Sequence, residues 1–246
     1  MAVGTLAVGM SFIAGTFLTG IYLSVFSTER TIAAVAAEEG FAKMRIFGLD
    51  PNDSAPKTTA FVDYDDLAAV PDGEWMYPSA PESSAKQYSW SGICRRMADG
   101  SDLVQCTVFV SRRTGGVQKF WKRGAGTADL ALESVDRPYP VRINVSRSST
   151  TAENEIVILD AVSSDGTDER TFVSNGSILV DDATGHMYRV MERSADEIGK
   201  VVLDRDWEDG DLTADSGWMW VVPPVATGGK NPGVAVYQET LRFARP

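Results

Sequence analysis

The chain has 246 residues, with 34 acidic against 23 basic side chains and a net charge of −11. That balance argues against nucleic acid or an anionic lipid surface as a partner, and an acidic surface is also a plain solubility device. The charge is unevenly placed, because Met1 to Thr28 carry none of it.

From Ala2 to Phe26 the apolar run AVGTLAVGMSFIAGTFLTGIYLSVF is long enough, at about 37 Å of helix, to cross a bilayer core. A cleaved secretory signal would show a basic n-region, a shorter apolar core and an A-x-A site; no Lys or Arg precedes this run. A plain lipid-facing anchor would be rich in Leu, Ile, Val and Phe. This run instead spends Gly4, Gly9, Gly15 and Gly20, at about 1 kcal/mol each relative to Ala. Small residues recur every four positions on two ridges, Ala7, Ser11, Gly15 and Thr19 on one, and Thr16, Gly20 and Ser24 on the other. Such ridges let apolar helices approach closely.

The helical pattern continues through ERTIAAVAAEEGFAKMRIF, residues 29 to 47. Ile32, Val35, Ala36, Phe41, Met44 and Phe47 form the expected buried face, and Glu38 and Glu39 the solvated one. Lys43 and Arg45 suit the C-terminal end of the helix dipole, and Gly48 and Pro51 end the helix. One helix of about 45 residues is expected, apolar in its first half and amphipathic in its second.

A long N-terminal helix so divided, followed by a β-rich head, resembles the type IV pilin superfamily, including type II secretion pseudopilins. MAVGTLAVGMSFIAGTF is similar to the middle of a prepilin-type helix, and AAVAAEEGFAKMR fits the short pseudopilins of tight-adherence systems about as well. The family carries a basic leader ending in Gly and a Glu at the fifth mature position, where this chain has Thr5. The match to mid-helix sequence leads us to expect Met1 about nine residues inside the mature protein. The resemblance implies a non-enzymatic filament subunit. Its partners would be copies of itself or related pilin subunits, contacted through Ala7, Ser11, Gly15, Thr19, Gly20 and Ser24. It would wait in a bacterial inner membrane and end at the cell surface. The rival reading is a single-span anchored binding domain that does not polymerise.

Residues 49 to 86 hold five of the eleven prolines and read as an irregular connection. Strand-like runs follow. YSWSGICRRM and LVQCTVFVSRR flank the turn signal ADGSD, which sets Cys94 and Cys106 equidistant from Gly100. Residues symmetric about a tight turn lie opposite one another, within disulfide reach, so a bridge is expected in an oxidising compartment. GGVQKFWKRGAG reads as an exposed basic hairpin or loop, and PYPVRINVSR and NEIVILDAV as strands. From Thr171 an up-and-down meander is expected, in a small sandwich or barrel-like sheet. The fold class is α+β: a long hydrophobic helix (1–48), a connection (49–86) and a mainly antiparallel β head. A split near Ser164 to Arg170 would give two subdomains, 87–165 and 166–246.

Site chemistry is thin. No nucleotide loop, nucleophile elbow or HExxH is present, and His186 is the single histidine. In DRDWEDGDLTAD, Asp204, Asp206, Glu208 and Asp215 fall at positions 1, 3, 5 and 12 of an EF-hand-like loop. The glycine, Gly210, comes one place late, and position 12 is Asp where Glu is usual. A solvated acidic hairpin loop is favoured over calcium, and no cofactor is expected.

Overall fold

The computed structural model describes residues 2–49, 56, 59–79, 87–99, 101–113, 118–123, 132–147, 152–160, 167–208, 216–226 and 231–243, with helix side chains from Gly9 onward. The expected helix is one unbroken α-helix, α1 (Ala2–Phe47), of 46 residues, about 69 Å long. Its hydroxyls bond back to their own helix: Thr16 to the Ile13 carbonyl at 2.9 Å, Thr19 to Gly15 at 3.0 Å and Thr28 to Ser24 at 2.9 Å. An apolar span can therefore carry these polar groups without external partners. Gly48, at φ +68°, closes the helix by donating its N–H to the Met44 carbonyl, a conformation that glycine adopts without a Cβ penalty.

The strands follow in chain order: β1 (Val62–Asp63), β2 (Met76–Tyr77), β3 (Tyr88–Arg96), β4 (Leu103–Arg112), β5 (Phe120–Arg123), β6 (Leu132–Val135), β7 (Val141–Ser146), β8 (Glu155–Leu159), β9 (Ile178–Asp181), β10 (Met187–Arg193), β11 (Lys200–Leu203), β12 (Ser216–Val221) and β13 (Gly233–Arg242). They form an antiparallel sheet in the order β1-β3-β4-β13 with β2 also on β3, a closed barrel in the order β10-β11-β8-β7-β12-β9, and a β5–β6 ribbon. The coarse α+β expectation holds, with a six-stranded barrel in the head.

The sheet lies between the helix and the barrel, which explains why β3 and β4 are buried almost throughout. Side chains alternate across a strand. Trp90, Cys94, Cys106, Val108 and Val110 pack with the helix residues Ala33, Ala36, Ala37, Phe41 and Met44. Ile93 and Phe109 turn the other way, onto Val180, Trp220 and Val222 of the barrel side. The helix approaches closely because small residues stand on both sides of the interface: a Cβ on Gly40 of the helix would sit 3.2 Å from the Trp90 ring, and one on Gly92 of β3 would strike the Met44 methyl.

Three sequence expectations are corrected in detail. Val35 is 50% exposed and Ile32 and Phe47 are half-buried, because the docked stripe runs through Ala33, Ala37, Gly40 and Met44. Lys43 is buried, paired with Glu39 at 2.7 Å and Glu74 at 3.2 Å, so local carboxylates hold it more closely than any dipole. The basic segment is no free loop: Phe120 is buried, Lys122 meets Asp65 at 2.6 Å, and Arg123 meets Glu169 at 2.6 Å.

The meander β9–β10–β11 is antiparallel with neighbours paired in sequence order. β12, however, pairs with β7 and β9, and β13 leaves the barrel to pair with β4 along its length, from Ala235↔Val110 to Arg242↔Leu103. The barrel draws strands from both sides of the 164–170 boundary. Its interior is Val141, Ile143, Val145, Ile156, Leu179, Tyr188, Val201 and Met219, with Trp207 in the same cluster.

Candidate functional site

The two halves of α1 have opposite surroundings. From Met10 to Phe26, ten large apolar side chains, among them Phe12, Phe17, Leu18 and Tyr22, are 40–73% exposed. Covering them is worth on the order of 20 kcal/mol at about 2 kcal/mol each. That exceeds the net stability of a typical domain. The segment is long and apolar enough to span a membrane, and none of its most apolar window is buried within the chain. The N-terminal helix thus suggests membrane anchoring.

The small-residue ridges lie on this bare half. A Cβ on Gly9, Gly15 or Gly20 would meet nothing within 4 Å, so no contact among the described residues requires these glycines. Ser11, Thr19 and Ser24 share the bare segment, while the side chain of Ala7 lies outside the described residues. Near the end of the apolar run Tyr22 stacks on Phe26 at 6.4 Å, and the Arg30 guanidinium covers the Phe26 ring at 4.6 Å.

Cys94 and Cys106 are direct partners in the β3–β4 register. Both are buried free thiols with sulfurs 2.9 Å apart. Burial above all, then the hydrogen bond with Cys106, pushes the Cys94 thiol well above the usual range. Inside the protein this thiol is a poor nucleophile.

The acidic loop does not assemble a described metal centre. Asp204 accepts the Arg189 N–H at 2.9 Å, and Glu208 faces His186 at 3.6 Å. Asp206 is exposed, and Asp215 lies outside the described residues. Among the described residues no cluster of three metal-ligating side chains occurs. Trp207, in the middle of the motif, is buried against Gly217 at the barrel.

Sequence reasoning missed the half-buried ionic cluster that ties the connection to the head. Asp65 meets Lys122 at 2.6 Å, Arg137 at 3.2 Å and the Tyr139 hydroxyl at 3.1 Å. Arg137 is stacked 4.1 Å from the Trp75 ring centre and 3.8 Å from that of Tyr139. Burial alone would raise the Asp65 carboxyl, but the Lys122 hydrogen bond and the Arg137 charge outweigh it and hold it below its ordinary value. Next to it, burial dominates at Asp63 and lifts that carboxyl to about 7, against the opposing charge of Lys122. A second buried acid, Asp182, bolts sheet to barrel. It accepts from the Phe61 N–H at 3.0 Å and the Trp220 indole at 2.7 Å, and pairs with Arg142 at 2.7 Å. The only advance signal was an acidic VDYDD segment in a chain whose basic residues cluster at 119–123. Comparison with protein-family models, with curated proteins and with solved structures finds no match to this chain.

Proposed function

We propose that this chain is a non-enzymatic subunit of a type IV pilus-like filament, held in a bacterial inner membrane before assembly and exposed at the cell surface afterwards. The bare half of the helix would pack against copies of itself or related subunits, with the β head facing outward. One observation carries this reading: Gly15 and Gly20 give up helix propensity where, among the described residues, nothing would meet a side chain placed on them. Close approach of a second helix returns that loss as dispersion contacts.

The rival is a single-span anchored binding domain. The internally satisfied threonine hydroxyls favour it, since a helix surrounded only by lipid needs them. Gly15→Leu and Gly20→Leu separate the two. Under the filament reading both variants insert in the membrane with a protease-resistant head but fail to enter sheared surface fractions. Parent-like assembly of both, or a parent never found in a multimer, sinks the filament reading in favour of the anchor.

A further inference from the structure

Where the helix leaves its apolar run, a cleft of about 630 Å³ opens between the helix and the head. Tyr22, Phe26 and Arg30 form its helix wall, and Arg189 of β10 lies across from them among Ser, Asn and Val side chains. We propose that this cleft seats the headgroup of an anionic bilayer phospholipid, with the acyl end running along Tyr22 and Phe26.

Position is the first argument. The first charged residue of the chain is Glu29, and Tyr22 lies about 10 Å before it along the axis. That is the depth at which aromatic side chains border lipid headgroups. The second argument is charge. In a chain of net −11, the charged side chains lining the cleft are two arginines, Arg30 and Arg189, and neither forms an ion pair among the described residues. Beside Arg30, by contrast, Arg112 is paired with Glu29 at 2.7 Å. Guanidinium groups bind phosphate oxygens in a fork geometry. The overall negative charge acts against an anionic surface only beyond the screening length of about 8–10 Å; within the cleft the local charge is positive.

The third argument concerns the alternatives. A free phosphate would leave the apolar wall of Tyr22 and Phe26 bare, whereas an acylated ligand covers it. The apolar helix of a second copy brings no carboxylate, since residues 1–28 carry none. The proposal rests on membrane anchoring and not on filament assembly, so it stands or falls separately from polymerisation.

The test uses the full chain in uncharged detergent micelles, titrated with dihexanoyl phosphatidylglycerol, dihexanoyl phosphatidylcholine and glycerol phosphate. Hydrogen exchange at 174–178 and 231–236 gives the local readout. The anionic lipid should bind in preference to phosphatidylcholine and protect both segments. R30Q/R189Q should lose about twenty-five-fold in affinity, about fivefold for each arginine, while R30K/R189K retains most of it. R96Q/R242Q, at the far end of the β3–β4 hairpin, should bind as the parent does. Both cleft arginines are exposed, and unchanged thermal unfolding of the head confirms that the variants fold. The proposal is overturned if R30Q/R189Q keeps the lipid preference, or if glycerol phosphate competes as well as the lipid. Protection that follows dimerisation and ignores lipid overturns it too, in favour of a second copy.

Discussion

The two halves of α1 share one backbone and one residue style, small side chains among apolar ones, yet their glycines stand in different situations. Gly40 lies against Trp90 and Val108 of the sheet. A Cβ on Gly15 or Gly20 would meet nothing within 4 Å. In the docked half the small residues answer to a partner visible in the same molecule. In the bare half the same pattern has no partner among the described residues, and under the proposed function its partner is another helix.

The hardest blow to the docked half is Trp90→Ala. Trp90 is fully buried, its ring centre 4.5 Å from that of Trp75, and its indole donates to the Glu74 carbonyl at 2.9 Å. The truncation should cost about 3–5 kcal/mol, read by chemical unfolding of the full chain in micelles. Residues 33–44 should become protease-sensitive before the barrel does. Simultaneous loss of both would show that helix and barrel unfold as one unit.

Asp63 sharpens the contrast through pH. With its folded carboxyl lifted to about 7 from an ordinary 3.8, the folded state keeps a proton that the unfolded chain has released throughout that window. Stability should therefore fall as pH rises from about 4 to about 7 and level off above, by up to about 4 kcal/mol. Asp63→Asn should remove this part of the decline and raise stability most above pH 7. Parallel stability curves for parent and variant would refute it. Asp65 acts oppositely and elsewhere: its lowered carboxyl gives stability above about pH 4 that is lost only in stronger acid.

The thiol pair is next in size. If Cys94 and Cys106 are bonded in exported protein, reductant should add the mass of two hydrogens and lower stability by about 2–3 kcal/mol. Free thiols in protein from an exported fraction would count against both the bridge and the compartment.

The smallest effects test the comparison most directly. Gly40→Leu forces side-chain atoms into Trp90 and should destabilise the head by about 1–3 kcal/mol. Gly15→Leu should leave head unfolding unchanged and favour the isolated helix by up to about 1 kcal/mol. Equal destabilisation by the two would erase the distinction between the halves.

Much of this architecture is legible in residue order because it depends on local period. The helix, its charge-free first half, its glycine stop and the β3–β4 hairpin with facing cysteines follow from spacings of 3.6 and 2 and from turn chemistry. Of the candidate site, the bare ridges were legible as a pattern, because an uncharged run needs no tertiary contact to be recognised. The tertiary structure alone decided which stripe of the second half docks, since Val35 is the more apolar on paper and yet Ala37 is buried where Gly40 brings the helix onto Trp90. It alone sent β13 back to β4, closed the barrel across residues 164–170, and brought Asp65, Lys122, Arg137 and Tyr139 together. Those pairings join residues 57 to 139 positions apart in sequence. No periodicity within a segment encodes them, because they arise from burying one element's face against another that the chain reaches later.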